Sequence, residues 1–202
     1  VCYDYDIFDY MDAYLKDGSK LSRWLEEIYR QEMIYPKNYV KLRSFENHDQ
    51  PRLRSKVRDD AHFLQMLTLM FFIKGMPMIY AGQEHQVDHL PSLFEDDLVP
   101  WDEEKSIESY ILKLTKLKKD IIFRDGIYQK HEDQKVAVLS YERKERFLVG
   151  VFNLENENRI NVPLKDGTYI NLLNNQQIVV KDQVIDLDSM PIIIETTKDQ
   201  KR

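Results

Sequence analysis

The 202-residue sequence contains a single cysteine, Cys2, so no intrachain disulfide and no cysteine-based zinc site can form. Glycine is scarce as well: six residues, all scattered, exclude a glycine-rich phosphate cradle. No long uncharged apolar run occurs, and the densest one, residues 63–73, is too short to span a bilayer. A basic excess is also missing. Lys and Arg total 29 against 35 Asp and Glu, a net charge of −6, which gives no electrostatic footprint for nucleic acid or an anionic membrane. Neither partner is expected. The chain opens at Val1 with no initiator Met and no secretory pattern, which reads as a cut through a larger chain. One cysteine and no Asn-x-Ser/Thr acceptor agree with a cytoplasmic localisation.

What is present divides by pattern rather than by charge. Residues 1–124 alternate helical and short apolar segments. Residues 7–15 and 21–34 carry apolar positions three and four apart, the mark of amphipathic helices, with Leu21, Trp24, Leu25 and Ile28 on one face. Residues 39–45 have strand propensity. Asp59 and Asp60 suit the start of a helix running to about Lys74, which Gly75 ends. A short apolar strand, residues 76–81, follows, and a last helix is expected over about residues 103–122. Helix, strand, helix, strand, helix argues for parallel strands with helical crossovers. Residues 125–202 contain only short strand-like runs separated by turn residues such as Asp166 with Gly167 and Asn174 with Asn175, which predicts an antiparallel sandwich.

The stretch richest in chemistry is Phe45, Glu46, Asn47, His48, Asp49, Gln50, Pro51 and Arg52. A strand ends and the chain then presents an amide, an imidazole, a carboxylate and a guanidinium. In α/β folds ligands gather at the carboxyl ends of parallel strands, and a carboxylate can accept from two neighbouring hydroxyls of a sugar. A plain polar turn uses the same residue types, and composition alone favours that reading.

Asn47, His48 and Asp49, with Phe45 before them, resemble the motif after the seventh barrel strand of the alpha-amylase family, glycoside hydrolase family 13. Residues 74–84, reading KGMPMIYAGQE, look like that family's eighth strand and the loop after it. The spacing, the later segment from Pro91 to Trp101 and the all-strand tail agree with the resemblance. It implies the C-terminal portion of a (β/α)8 TIM barrel over residues 1–124, then a C-terminal antiparallel β-sandwich over residues 125–202. It also implies a retaining alpha-glycosidase acting on alpha-glucans or malto-oligosaccharides. Such a mechanism needs a nucleophile and an acid/base about 5 Å apart. In the family these follow the fourth and fifth strands, and neither would lie within this sequence. By the same resemblance Asp49 is the catalytic-site carboxylate that stabilises the transition state. His48, Asn47 and Arg52 are substrate-binding, Asn47 and Arg52 matching less strictly.

The isolated chain is therefore expected to be inactive. Its expected partners are an alpha-glucan or oligosaccharide, and either the missing N-terminal barrel half or a second copy. No cofactor is implied by these residues, and the family's calcium site draws on other segments. His85 and His89, with Asp88 between them, have metal-like spacing only on a helix, so no metal site is expected there. Tyr3 to Asp6 alternates aromatic and acidic residues, as sugar stacking would, but the end of a barrel strand entering its helix accounts for it. Trp24 reads as core, and Trp101 as packing or sugar contact. The alternative from another class is a non-catalytic carbohydrate-binding or interaction module.

Overall fold

A computed structural model describes residues 1–132 and 134–202; Asp133 and the side chain of Glu132 lie outside the described residues. The first strand, β1 (Cys2–Tyr3), leads into helices α1 (Tyr5–Asp17) and α2 (Leu21–Ile34). Helix α1 buries Ile7, Phe8, Met11 and Tyr14, a stripe at helical spacing, and stops at Gly18, whose φ of 67° suits glycine. Helix α2 buries Leu21, Trp24, Leu25 and Ile28 as its pattern predicts.

Strand β2 (Lys41–Arg43) then pairs parallel with β1, in register Cys2 with Lys41 and Tyr3 with Leu42. After the short helix α3 (Leu53–Lys56) comes α4 (Asp60–Phe72). Its N-cap is Asp59, whose side chain accepts from the His62 amide at 2.7 Å. Strand β3 (Met76–Pro77) pairs parallel with β2, Leu42 with Met76 and Arg43 with Pro77. Gly75, at φ 128°, passes so close to β2 that an added Cβ would lie 2.6 Å from the Lys41 carbonyl oxygen. The parallel order β1-β2-β3 with helical crossovers is the predicted one, although the hydrogen-bonded strands are only two or three residues long.

The helix expected over residues 103–122 is broken into three pieces. A 3-10 turn (Glu103–Lys105) precedes α5 (Glu108–Lys118) and α6 (Ile122–Asp125). Two polar contacts explain the breaks. The Ile107 amide donates to the Glu84 carbonyl at 2.8 Å, and the Asp120 carboxylate accepts from the Ile122 amide at 2.8 Å.

The remaining chain is antiparallel. Strands β4 (Ile127–Glu132), β5 (Val136–Arg143), β6 (Arg146–Asn153) and β11 (Ile192–Thr197) form a sheet in the order β11-β6-β5-β4. Two hairpin-like pairs cover it: β7 (Arg159–Asn161) with β10 (Val184–Asp186), and β8 (Gly167–Ile170) with β9 (Gln177–Val180). Strand β4 was not foreseen as a strand, because Gln129, Lys130 and His131 interrupt any apolar run.

Both faces of the four-stranded sheet are buried. Ala137, Leu139, Tyr141, Leu148, Phe152 and Ile193 join the core of the helical region, while Val136, Val138, Phe147, Val149, Val151, Ile192 and Ile194 form a second core with the hairpin pairs. That two-sided burial is why β5 reads as a continuous apolar run. The hinge of the first core is Phe72 of α4, whose ring meets Phe123, Tyr141 and Phe152 at 5.5, 5.5 and 5.3 Å. Tyr141 also donates to the Phe72 carbonyl at 3.0 Å. One core thus runs across the boundary near residue 125.

Candidate functional site

The site is built where β2 leaves the sheet. Phe45 is buried against Trp24, ring to ring at 5.5 Å, and anchors the strand exit to α2. Lys56, buried and paired with Asp12 at 3.0 Å, donates to the Phe45 carbonyl at 3.2 Å. Beyond Phe45 the chain turns back on itself, the Gln50 amide donating to the Asn47 carbonyl at 3.3 Å.

His48 and Asp49 occupy the tip of this turn, and their side chains are 63% and 51% exposed. The imidazole Nε2 lies 3.2 Å from Asp49 Oδ2, so both groups face one patch of solvent. Asn47 is buried at the base. Its Oδ1 accepts from the Asp49 amide at 2.8 Å, and its Nδ2 donates to the Tyr5 hydroxyl at 3.4 Å. That Asx geometry pins the backbone carrying the carboxylate. Chemically, the tip offers one two-oxygen acceptor beside a ring nitrogen, a set suited to vicinal hydroxyls.

Arg52 has a different setting. It is fully buried, so it does not reach the solvent beside His48 and Asp49. Its Nη1 donates to Glu46 Oε1 and to the Ala81 carbonyl, both at 2.9 Å, and its Nε donates to the His89 carbonyl at 3.1 Å. The guanidinium also sits 4.3 Å from the centre of the Tyr80 ring. Glu46, equally buried, accepts from the Leu53 amide at 2.7 Å. Burial pushes its carboxyl pKa up, while the Leu53 amide and Arg52 pull it back. Sequence reasoning gave Glu46 no role, since its partner is chosen by the fold of the turn and not by spacing.

The alternating Tyr3 to Asp6 segment separates by chemistry. Asp4 is buried and pairs with Arg43 and with Gln31 Nε2, the latter at 2.9 Å; Asp6 pairs with Lys41 at 2.7 Å. Tyr3 and Tyr5 stay exposed, their rings 5.9 Å apart. Neither of the spaced histidines faces a metal-like cluster. His85 bonds through Nδ1 to the Asp102 carbonyl at 2.9 Å and meets the Trp101 ring edge-on at 5.3 Å, whereas His89 Nε2 pairs with Asp97 at 2.7 Å. Among the described residues no group of three or more His, Cys, Asp and Glu could hold a metal ion. No helix among them is long and apolar enough to cross a membrane.

In the antiparallel region, Tyr141, Phe147 and Phe152 are buried and Tyr169 nearly so, so these four rings form no surface platform for a sugar. A groove of about 670 Å³ does open there, but Arg159, Asn161, Val179, Lys181 and Asp186 line it and no aromatic does.

The model described as "Alpha amylase, catalytic domain" matches residues 11–148, and that described as "Bacterial Alpha amylase C-terminal domain" matches residues 127–194. No curated protein matches the chain in sequence. Among solved structures, an alpha-amylase from Lactobacillus plantarum is 31% identical with a TM-score of 0.86, over 96% of this chain and 47% of that one. A maltogenic alpha-amylase, AmyB, from Thermotoga neapolitana is 23% identical with a TM-score of 0.82, over 96% of this chain and 50% of that one. An Anoxybacillus alpha-amylase is 19% identical with a TM-score of 0.76, over 96% of this chain and 46% of that one. The chain thus spans about half the length of these neighbours. The helix-covered parallel strands match the C-terminal part of a TIM-barrel amylase, and the antiparallel sheets match its β C-terminal domain. With the catalytic-domain match covering more than half of its residues, this chain belongs to the alpha-amylase family.

Proposed function

We propose that this chain supplies the sugar-gripping wall of a retaining alpha-glycosidase site acting on alpha-glucans or malto-oligosaccharides. The carrying observation is the exposed His48 and Asp49 pair, 3.2 Å apart, at the carboxyl end of a strand flanked by two parallel neighbours. Asp49 accepts from ring hydroxyls of the bound glucose, and His48 bonds the same sugar. These contacts tighten as the ring flattens toward the oxocarbenium-like transition state, so they lower the barrier more than they raise ground-state affinity. Asn47 and Arg52 act on the sugar through the shape of the turn.

The nucleophile and the acid/base belong, on this reading, to barrel strands outside these 202 residues, which accords with the chain spanning about half of its structural neighbours. The reading makes the chain alone inactive and gives it the complementary barrel half, or a second copy, as partner. Support comes from β1 and β3, each with one edge unpaired among the described residues, and from Tyr3 and Met76, which lie exposed on them.

Calorimetry with maltoheptaose tests the reading. The unmodified chain binds, and Asp49→Ala weakens binding about tenfold, as loss of a charged hydrogen-bonding group does. Purified chain with soluble starch releases no reducing sugar. Equal affinity of the Asp49→Ala variant, or sugar release that follows the pure chain, overturns the reading.

A further inference from the structure

We propose that Glu46 and Arg52 are positioning residues that hold the His48 and Asp49 tip against the loop following β3; the part of this inference that concerns sugar rests on the reading given above. Arg52 donates to three separate segments: to Glu46 at the root of its own turn, to Ala81 just past β3, and to His89 further along the next loop, at 2.9, 2.9 and 3.1 Å. Glu46 closes the other side of the turn by accepting from the Leu53 amide at 2.7 Å. The residues between, His48 and Asp49 included, form a loop whose two ends are clamped by one buried ion pair.

Stability alone is a weak reason for such a pair. Both side chains are fully buried, and desolvation of two buried charges offsets most of their attraction, so apolar residues of similar volume would serve stability as well. A planar fork that reaches acceptors on different segments, with Tyr80 stacked 4.3 Å from it, fixes relative placement in a way an apolar contact does not. Placement matters here because the tip side chains are exposed, and the local bonds at the tip, from the Asp49 amide to Asn47 Oδ1 and from the Gln50 amide to the Asn47 carbonyl, stay within the turn and tie it to no other segment. A carboxylate that must meet two hydroxyls loses much of its effect when displaced by about 1 Å.

The test uses the intact chain. Backbone ¹⁵N relaxation is measured at His48 and Asp49 in the unmodified chain, Glu46→Gln, Arg52→Lys and Ile194→Val, the last a stability control in the second core. In Glu46→Gln and Arg52→Lys the tip order parameters fall from about 0.85 to below about 0.6, while Ile194→Val leaves them unchanged. Maltoheptaose affinity falls about tenfold in the first two variants and stays constant in the control. Rigid tips in both variants overturn the proposal, as does a control that loosens equally. Should the variants not fold, amide exchange in the unmodified chain decides. Leu53 and Asp49 amides opening together support the clamp, and independent opening refutes it. If the unmodified chain binds no maltoheptaose, the sugar-binding reading fails while relaxation and exchange still judge the clamp.

Discussion

Replacing Phe72 by Ala probes the join between the helical and antiparallel regions. The ring is 1% exposed and packs edge-on against Phe123, Tyr141 and Phe152 at 5.3–5.5 Å. Truncating a fully buried Phe costs about 3–5 kcal/mol, and the three aromatic contacts place this one near the top of that range. The Tyr141 bond to the residue 72 carbonyl survives, because it uses the backbone. A loss of about 4–5 kcal/mol is a large share of the roughly 5–15 kcal/mol that holds a domain together. The assay is urea unfolding followed by NMR, reading Leu25 in the first core and Val149 in the second. Because one core crosses the boundary near residue 125, both probes shift to lower urea together. A Leu25 transition that moves while Val149 stays in place would mean that the two regions unfold independently and that Phe72 does not join them.

Gly150→Ala tests the same seam from the sheet side. A Cβ there would lie 2.8 Å from the rings of Phe72 and Phe152, so thermal unfolding should show a loss of about 1–3 kcal/mol. His62 predicts a pH effect. Burial, then Arg58, pushes its pKa from 6.5 down to about 4, against a smaller opposing pull from Asp59. The unfolded chain therefore binds the proton first, so stability present above pH 6.5 is lost as pH falls toward 4, by up to about 3 kcal/mol. His62→Gln flattens urea midpoints across that window, and an unchanged slope assigns the effect elsewhere. Asp59→Ala removes the N-cap bond to the His62 amide and costs about 1 kcal/mol, read as a lower urea midpoint.

Helices were the most legible part of the sequence. The periodicity of Leu21, Trp24, Leu25 and Ile28 marks α2 at its observed bounds, and Asp59 with Asp60 marks the start of α4. The parallel strands were legible as positions but not as lengths, because β2 ends in Lys41 and Arg43, whose burial depends on Asp6 and Asp4 far back in the chain. The break between α5 and α6 was invisible, since the carboxylate of Asp120 both accepts from the Ile122 amide and pairs with Arg146 from another element at 2.7 Å. At the site, His48 and Asp49 stood out only through the resemblance of the Phe45 to Asp49 stretch to the alpha-amylase motif, because a plain polar turn uses the same residue types. Glu46 and Arg52 do not: the residues between them say nothing of a shared burial or of the carbonyls of Ala81 and His89.

The claim that the tip of the β2 exit turn grips glucose is tested most directly by mapping maltoheptaose onto the chain with NMR. Saturable shifts are expected at the side chains of His48 and Asp49, with none along the groove lined by Arg159, Asn161 and Lys181. Shifts confined to that groove, or none at His48 and Asp49 at saturating sugar, would contradict it.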